Sequence, residues 1–201
     1  MLKSIRSGLA AGILISLGGS VFLACDSRYV GAGLFTVALL CICLRGYALY
    51  TGRVGYLPED HSQAAVSALL LCLLGNSIGT VLCGWAIRIA LPKLGETAMT
   101  ICSAKLEQSW LQTVLRGLFC GVLMYLAVSI YRDRKTVLAI VFCVPVFILA
   151  GFEHSVADIF YFAASGLVSL KAFAFIWLVI LGNSLGGVLL PLITGDRKER
   201  P

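Results

Sequence analysis

The chain has 201 residues, of which 59% are hydrophobic and 13% charged, and its mean hydropathy is +0.95. That balance excludes an ordinary soluble domain and points to a protein that lives in a membrane. The net charge of +6 comes from 16 Lys and Arg against 10 Asp and Glu, spread mostly over the links between apolar runs, so it gives no sign of a nucleic-acid partner.

Six apolar runs follow one another, at roughly 7–24, 29–50, 63–91, 109–131, 136–162 and 169–194. Each approaches or exceeds the ~20 residues that a helix needs to cross about 30 Å of hydrocarbon. Six crossings use most of the chain, which predicts one transmembrane channel domain over 1–201 without a soluble catalytic module. The first run follows Lys3 and Arg6 and ends in Phe22-Leu23-Ala24-Cys25, a pattern that could pass for a secretory or lipoprotein signal. Its removal would leave five crossings, so it is read as a retained helix. The second run is interrupted by Arg45-Gly46-Tyr47-Ala48-Leu49-Tyr50-Thr51-Gly52. His61 follows in a link beside Glu59 and Asp60 and reads as a solvated residue. The third run contains Gly75-Asn76-Ser77-Ile78-Gly79-Thr80-Val81-Leu82. A link with Lys105 leads to the fourth run, and the fifth is interrupted at Ala150-Gly151-Phe152-Glu153-His154-Ser155. The sixth repeats the third as Gly182-Asn183-Ser184-Leu185-Gly186-Gly187-Val188-Leu189.

The Gly-Asn-Ser phrase therefore marks a repeat, about 5–92 and 108–195, with Asn76 and Asn183 as its structural polar residues. Three crossings per repeat is an odd number, so the halves lie upside down relative to each other. Inverted repeats with glycine-interrupted spans in matching places point to channels and transporters, with the site near mid-depth between the halves. Unwound backbone at that depth lines a cavity or is buried in protein. Pairs such as Gly8/Gly12, Gly75/Gly79, Gly117/Gly121 and Gly182/Gly186 stand four apart, the spacing that lets helix backbones approach closely in a bilayer.

Charge placement sets the orientation. With both termini in the cytoplasm, that side holds Lys3, Arg6, Arg53, Arg132, Arg134, Lys135, Arg197, Lys198 and Arg200. The other side holds the smaller set Arg28, Arg88, Lys93, Lys105 and Lys171. The excess of Lys and Arg belongs inside, which predicts a multi-pass protein of the cell (inner, cytoplasmic) membrane with both termini cytoplasmic.

The eight cysteines lie mostly in the runs, where a free thiol behaves as a small apolar group. Cys41 and Cys43 stand about 200° apart on a helix, a poor chelate. With two histidines and no matching cluster, neither a metal nor another cofactor is expected. Glu153 and His154 are different: ionisable groups inside an apolar run are costly and mark functional sites. Glu153 is read as a buried carboxylate that satisfies amides freed by the break. His154, inside the break, is read as lining a pore.

These residues resemble the formate/nitrite transporter family. Gly151-Phe152-Glu153-His154-Ser155-Val156-Ala157-Asp158-Ile159-Phe160 is similar to the family's histidine signature, with Asp158 where Asn is usual. Gly182-Asn183-Ser184-Leu185-Gly186-Gly187 resembles its second signature, and Leu49-Tyr50-Thr51 its Leu-Phe-Thr loop, with Tyr50 in place of Phe. The resemblance implies an all-α, aquaporin-like protomer of six transmembrane helices, the second and fifth broken, assembled as a homopentamer with one pore per protomer. It implies that His154 is the central pore histidine, that Thr51 faces it, and that Lys105 charges an outer vestibule. Phe35, Leu39, Phe147 and Met124 fall on constriction positions, joined by Leu49 and Tyr50 of the loop. The chain departs from the family in Gly121, where Asn is frequent, and in Arg45 and Arg116 within spans. It is also shorter than the family norm, so no N-terminal gating helix is expected.

A small anion in a dry constriction faces a Born cost of ~20 kcal/mol in the idealised limit. Positive groups at a cavity mouth concentrate anions but leave that barrier standing. Protonation removes it, and a histidine near its charge balance is the natural participant. The expected function is a channel or transporter for small monovalent anions, formate or nitrite first, moving with protons. Hydrosulfide, acetate or lactate are the alternatives, as is a degenerate, non-conducting subunit. An enzyme is not expected, since Glu153 and Asp158 are five apart on one run and do not converge.

Overall fold

The protein is described here from a computed structural model covering residues 2–195. Arg197, Lys198 and Arg200, counted above on the cytoplasmic side, lie outside the described residues. The helices are α1 (Leu2–Ala24), α2 (Arg28–Arg45), α3 (Tyr50–Arg53), α4 (Gln63–Ala90), α5 (Pro92–Leu106), α6 (Trp110–Arg134), α7 (Leu138–Ala150), α8 (Ser155–Ser165) and α9 (Leu170–Thr194). A 3-10 turn over Val54–Tyr56 follows α3. With α5 set aside as the connector, α1 to α4 match α6 to α9 element by element.

Helices α1, α2, α4, α6 and α9 are each long and apolar enough to cross a membrane. Helices α7 and α8 are bent by 55° at residues 151–154 and make a sixth crossing when taken as one span. Serines open four of the long helices: Ser27, Ser62, Ser109 and Ser169 each accept a hydrogen bond from a backbone N–H of the first turn. That satisfies donors a helix start leaves free.

Two glycines end the broken helices. Gly46 closes α2 with φ +68° and Gly151 closes α7 with φ +76°. Side-chain-bearing residues reach this left-handed conformation only at a cost. In both places the N–H of the next residue returns to a carbonyl of the last turn, Tyr47 to Ile42 and Phe152 to Phe147, each at 2.9 Å. This bond closes the helix locally, before any tertiary contact is needed.

The broken limbs differ in length. The sequence interrupts run two over residues 45–52, and α2 stops at Arg45, with only the stub α3 and a 3-10 turn as its second limb. Gly52, Gly55 and Pro58 explain the stub, because all three weaken a helix interior. Residues 155–165 contain neither glycine nor proline, and α8 runs for 11 residues. The link between runs three and four is not a loop but α5, with Pro92 at its first turn.

The glycine pairs are used within the chain. A Cβ on Gly75 would stand 3.1 Å from Gly8 Cα, and one on Gly117 3.1 Å from Gly182 Cα. So α1 lies against α4 and α6 against α9 at backbone distance, the most extensive pairings in the fold. The first run is thus an integral wall of the structure.

Candidate functional site

The two breaks are fastened alike. Asn76 Oδ1 accepts from the Tyr50 N–H at 2.9 Å, and Nδ2 donates to the carbonyls of Gly8 at 2.8 Å and Ala48 at 2.9 Å. Asn183 Oδ1 accepts from the Ser155 N–H at 2.9 Å, and Nδ2 donates to Gly117 at 2.8 Å and Glu153 at 2.9 Å. One acceptor and both donors of each amide are engaged. Each asparagine ties the first helix of its half to the unwound residues of the break and to the first residue of the helix that follows it. The Ala48 N–H is taken by Ser7 Oγ at 2.9 Å, and the Glu153 N–H by the Arg116 carbonyl at 3.3 Å. Backbone groups unwound at membrane depth find partners within the protein in this way.

The fastened ends bring Thr51 and His154 together. Thr51 is one residue into α3, and His154 is the residue that caps α8. Thr51 Oγ1 lies 2.9 Å from His154 Nε2, and both residues are buried, at 0% and 3% exposure. His154 Nδ1 accepts from the Ala157 N–H at 3.1 Å. With Nδ1 engaged as an acceptor, the neutral ring carries its hydrogen on Nε2 and donates it to Thr51. A second proton on the ring would displace the Ala157 bond.

Aromatic rings cover the pair on one side. Phe147 stacks on the imidazole with centroids 5.6 Å apart, and Phe35 meets Phe147 edge-on at 6.1 Å. Leu39, Leu49, Tyr50 and Met124 are buried. The Tyr50 hydroxyl is 2.7 Å from Ser184 Oγ, which links the first loop to the second repeat.

A cavity lies on each side. One, of about 400 Å³, is lined by Phe35, Phe147 and His154 together with Arg28, Lys105 and Arg116; it opens beside α5. The other, of about 460 Å³, is lined by Ile42, Leu49, Gly52, Arg53, Val128 and Arg132 and opens beside α3. On α2, Leu39 falls between Phe35 of the first cavity and Ile42 of the second. On α6, Met124 falls between Arg116 of the first and Val128 of the second. Arg45 is exposed and lines neither cavity. His61 is exposed in its link.

The charges of the α5-side cavity are paired in a way the sequence does not suggest. Lys105 is not an open charge at a mouth: its Nζ pairs with Glu153 Oε2 and, at 3.0 Å, with Asp158 Oδ1. The Glu153 side chain does not satisfy amides freed by the break, a task that falls to Asn183 and the His154 ring. Its other oxygen accepts from Gln108 Nε2 at 2.6 Å. Arg28 forms no ion pair with either carboxylate; its Nη2 donates to the Ile148 carbonyl at 2.8 Å. Sequence reasoning passed over Gln108, Arg28, Ser7 and Ser184. For Gln108 a signal existed, since it lies three residues beyond Lys105 and follows the same helix end.

A helical membrane protein with two matched halves, a buried polar pair where their breaks meet and open space on either side of it belongs to the class of channels and transporters. Comparison with known proteins makes the assignment definite. The family model for the formate/nitrite transporter matches residues 1–194, and the chain belongs to that family. The chain is 28% identical over 222 residues to the uncharacterized transporter YwcJ of Bacillus subtilis, covering 94% of this chain and 85% of the relative. It is 29% identical over 203 residues to the nitrite transporter NirC of Salmonella typhimurium, covering 90% and 75%. Among solved structures, a pentameric formate channel with formate bound superposes with a TM-score of 0.82 at 24% identity, covering 96% of this chain and 95% of that one. Membership places the chain among transporters and channels, not enzymes.

Proposed function

We propose that the chain conducts small monovalent anions, formate or nitrite first, along a path from the α5-side cavity past His154 and Thr51 to the α3-side cavity. The observation that carries this is the Thr51–His154 pair at 2.9 Å, held where the two breaks meet and flanked by a cavity on each side. In this reading the chain is one channel domain of two inverted repeats, about 5–92 and 108–195. Phe35 and Phe147 form the constriction toward α5; Leu39, Leu49, Tyr50 and Met124 form the one toward α3. Asn76 and Asn183 hold the framework.

The α3-side cavity, with Arg53, Arg132 and Lys135 at its wall, faces the cytoplasm together with both termini, in keeping with the positive-inside rule. The membrane is the cell membrane, and the assembly is a homopentamer with one path in each protomer. The likeness to a pentameric formate channel supports that stoichiometry. The anion crosses the dry rings as its conjugate acid, because a bare charge there is too costly. The His154 Nε2–H and the Thr51 hydroxyl hold it in passage. Hydrosulfide, acetate and lactate are admitted or refused by the width of the rings.

Proteoliposome flux across a panel of formate, nitrite, hydrosulfide, acetate and lactate tests the reading. Movement of formate or nitrite above the leak of protein-free liposomes supports it. Movement of none of the panel would mark a non-conducting subunit.

A further inference from the structure

The α5-side cavity carries more acid than base at its inner end. Two carboxylates, Glu153 and Asp158, share the single ammonium of Lys105. Both carboxylate side chains are 2% exposed, and that of Lys105 is 15% exposed. Gln108 gives Glu153 a hydrogen bond but no charge. Asp158 Oδ1 faces the ammonium, while Oδ2 is buried without a hydrogen-bond partner among the described residues. Two carboxylates in one dry site do not both stay ionised cheaply beside one cation. A proton on Asp158 Oδ2 removes the uncompensated charge.

The surroundings do not supply that charge in another way. Lys105 and Cys102 of α5, Cys120 of α6, Glu153 of the break and Tyr161 of α8 itself stand within electrostatic reach of Asp158. Arg28 and Arg116 line the same cavity, but Arg28 is bound to the Ile148 carbonyl and Arg116 is exposed and forms no ion pair with either carboxylate. Of the other helices packed on α8, α3 carries Arg53, which lines the opposite cavity, α4 brings Arg88 against Gly166, at the far end, and α9 brings Lys171, which pairs with Glu107 at 3.8 Å. α1 has no ionisable residue between Arg6 and its end.

The histidine is a poorer store for a proton, since a second one would cost its ring the Ala157 bond. Asp158 is in the first turn of the helix that His154 caps, and its N–H donates to the His154 carbonyl at 2.9 Å. It lines the same cavity. We propose that Asp158 hands the arriving anion its proton. The proposal rests on the anion conduction proposed above. In the step, the O–H bond at Asp158 Oδ2 breaks and an O–H bond forms on an oxygen of the anion. The carboxylate left behind is held by Lys105, and a proton from the solution on the α5 side, relayed by water, protonates it again. No electrons change hands, and one proton travels with each anion.

Formate uptake and internal acidification, followed together in dye-loaded liposomes, test the step. Wild-type protein should carry formate at a rate that rises as the outside is acidified, with a proton for each formate. Asp158→Asn should assemble, carry formate more slowly, lose the proton and lose the rise with acid. An unchanged ratio and pH profile in Asp158→Asn would overturn the proposal while leaving anion conduction intact, as would wild-type formate transport without protons. A wild type that carries no anion at all would remove conduction and this proposal together. An infrared measurement stands independently of transport and of the variant's folding. Wild-type protein at neutral pH should show the carbonyl stretch of a protonated carboxyl. Asp158→Glu should shift it, Glu153→Asp should leave it in place, and Glu153→Gln should abolish it, because one carboxylate then faces one ammonium. Its absence from the wild type would overturn the proposal.

Discussion

Asn76 and Asn183 make the same three hydrogen bonds from equivalent points of the two halves, to backbone groups of residues that differ in every side chain but one glycine. The asparagines recognise the shape of a broken helix, not its composition. Asn183→Ala should therefore loosen the break at 151–154. A buried backbone group left unsatisfied costs ~1–3 kcal/mol, so the loss should reach about 3 kcal/mol. The thermal midpoint in detergent measures it, and a midpoint equal to wild type would count against the fastening role.

His154→Asn should keep the fold, since Asn also caps a helix well. Its amide is shorter than the ring and gives up the Nε2 contact with Thr51, so formate flux should fall. Thr51→Ala should reduce flux less, because water can stand in for one hydroxyl in a wet path. The rise of flux with external acidity should survive in His154→Asn. Flux against pH decides this: a flat profile in that variant would put the proton step on the ring.

Phe147→Ala should widen the passage next to His154. The ring both stacks on the imidazole and meets Phe35, so its loss opens the wall from two directions. The ratio of lactate to formate flux should rise. A ratio unchanged from wild type would mean that size selection happens elsewhere, at Leu39 or Met124.

Lys105→Gln should destabilise the protein strongly. Breaking a buried ion pair by removing one partner typically costs ~3–5 kcal/mol. Here it strands the Glu153 carboxylate, and that of Asp158 as well once the pH is high enough to take its proton. The deficit should be largest at high pH, where both are ionised, and should shrink on acidification as protons replace the missing cation. Unfolding in detergent across a pH series reads the effect, and a deficit that grew on acidification would reverse the assignment of charges.

Much of the architecture was legible because it is written locally. The runs follow from hydropathy, the breaks at Gly46 and Gly151 from glycine inside apolar sequence, and the repeat from the Gly-Asn-Ser phrase. The meeting of Thr51 with His154 followed from the resemblance, on residues far apart in the chain. The Lys105 arrangement was not legible. It joins α5 to the break and to α8, and no spacing within one run predicts which carboxylates a distant ammonium will reach. The helix α5 was missed because its apolar residues are too sparse to read as a span. The glycine pairs were legible as contact surfaces, but only packing reveals which helices of the chain they join.

Each asparagine reaches only residues of its own half: Gly8, Ala48 and Tyr50 for the first, Gly117, Glu153 and Ser155 for the second. The device that fixes a half is complete before the other half has been translated. A ribosome finishing the first four helices has already made the hydrogen bonds that shape the first break, and the second half repeats the operation on its own account before α6, α8 and α9 close over Thr51. Such autonomy is what an ancestral duplication of a half-length gene would leave behind. It also means that a chain nicked in the link after α5 should reassemble from its two pieces.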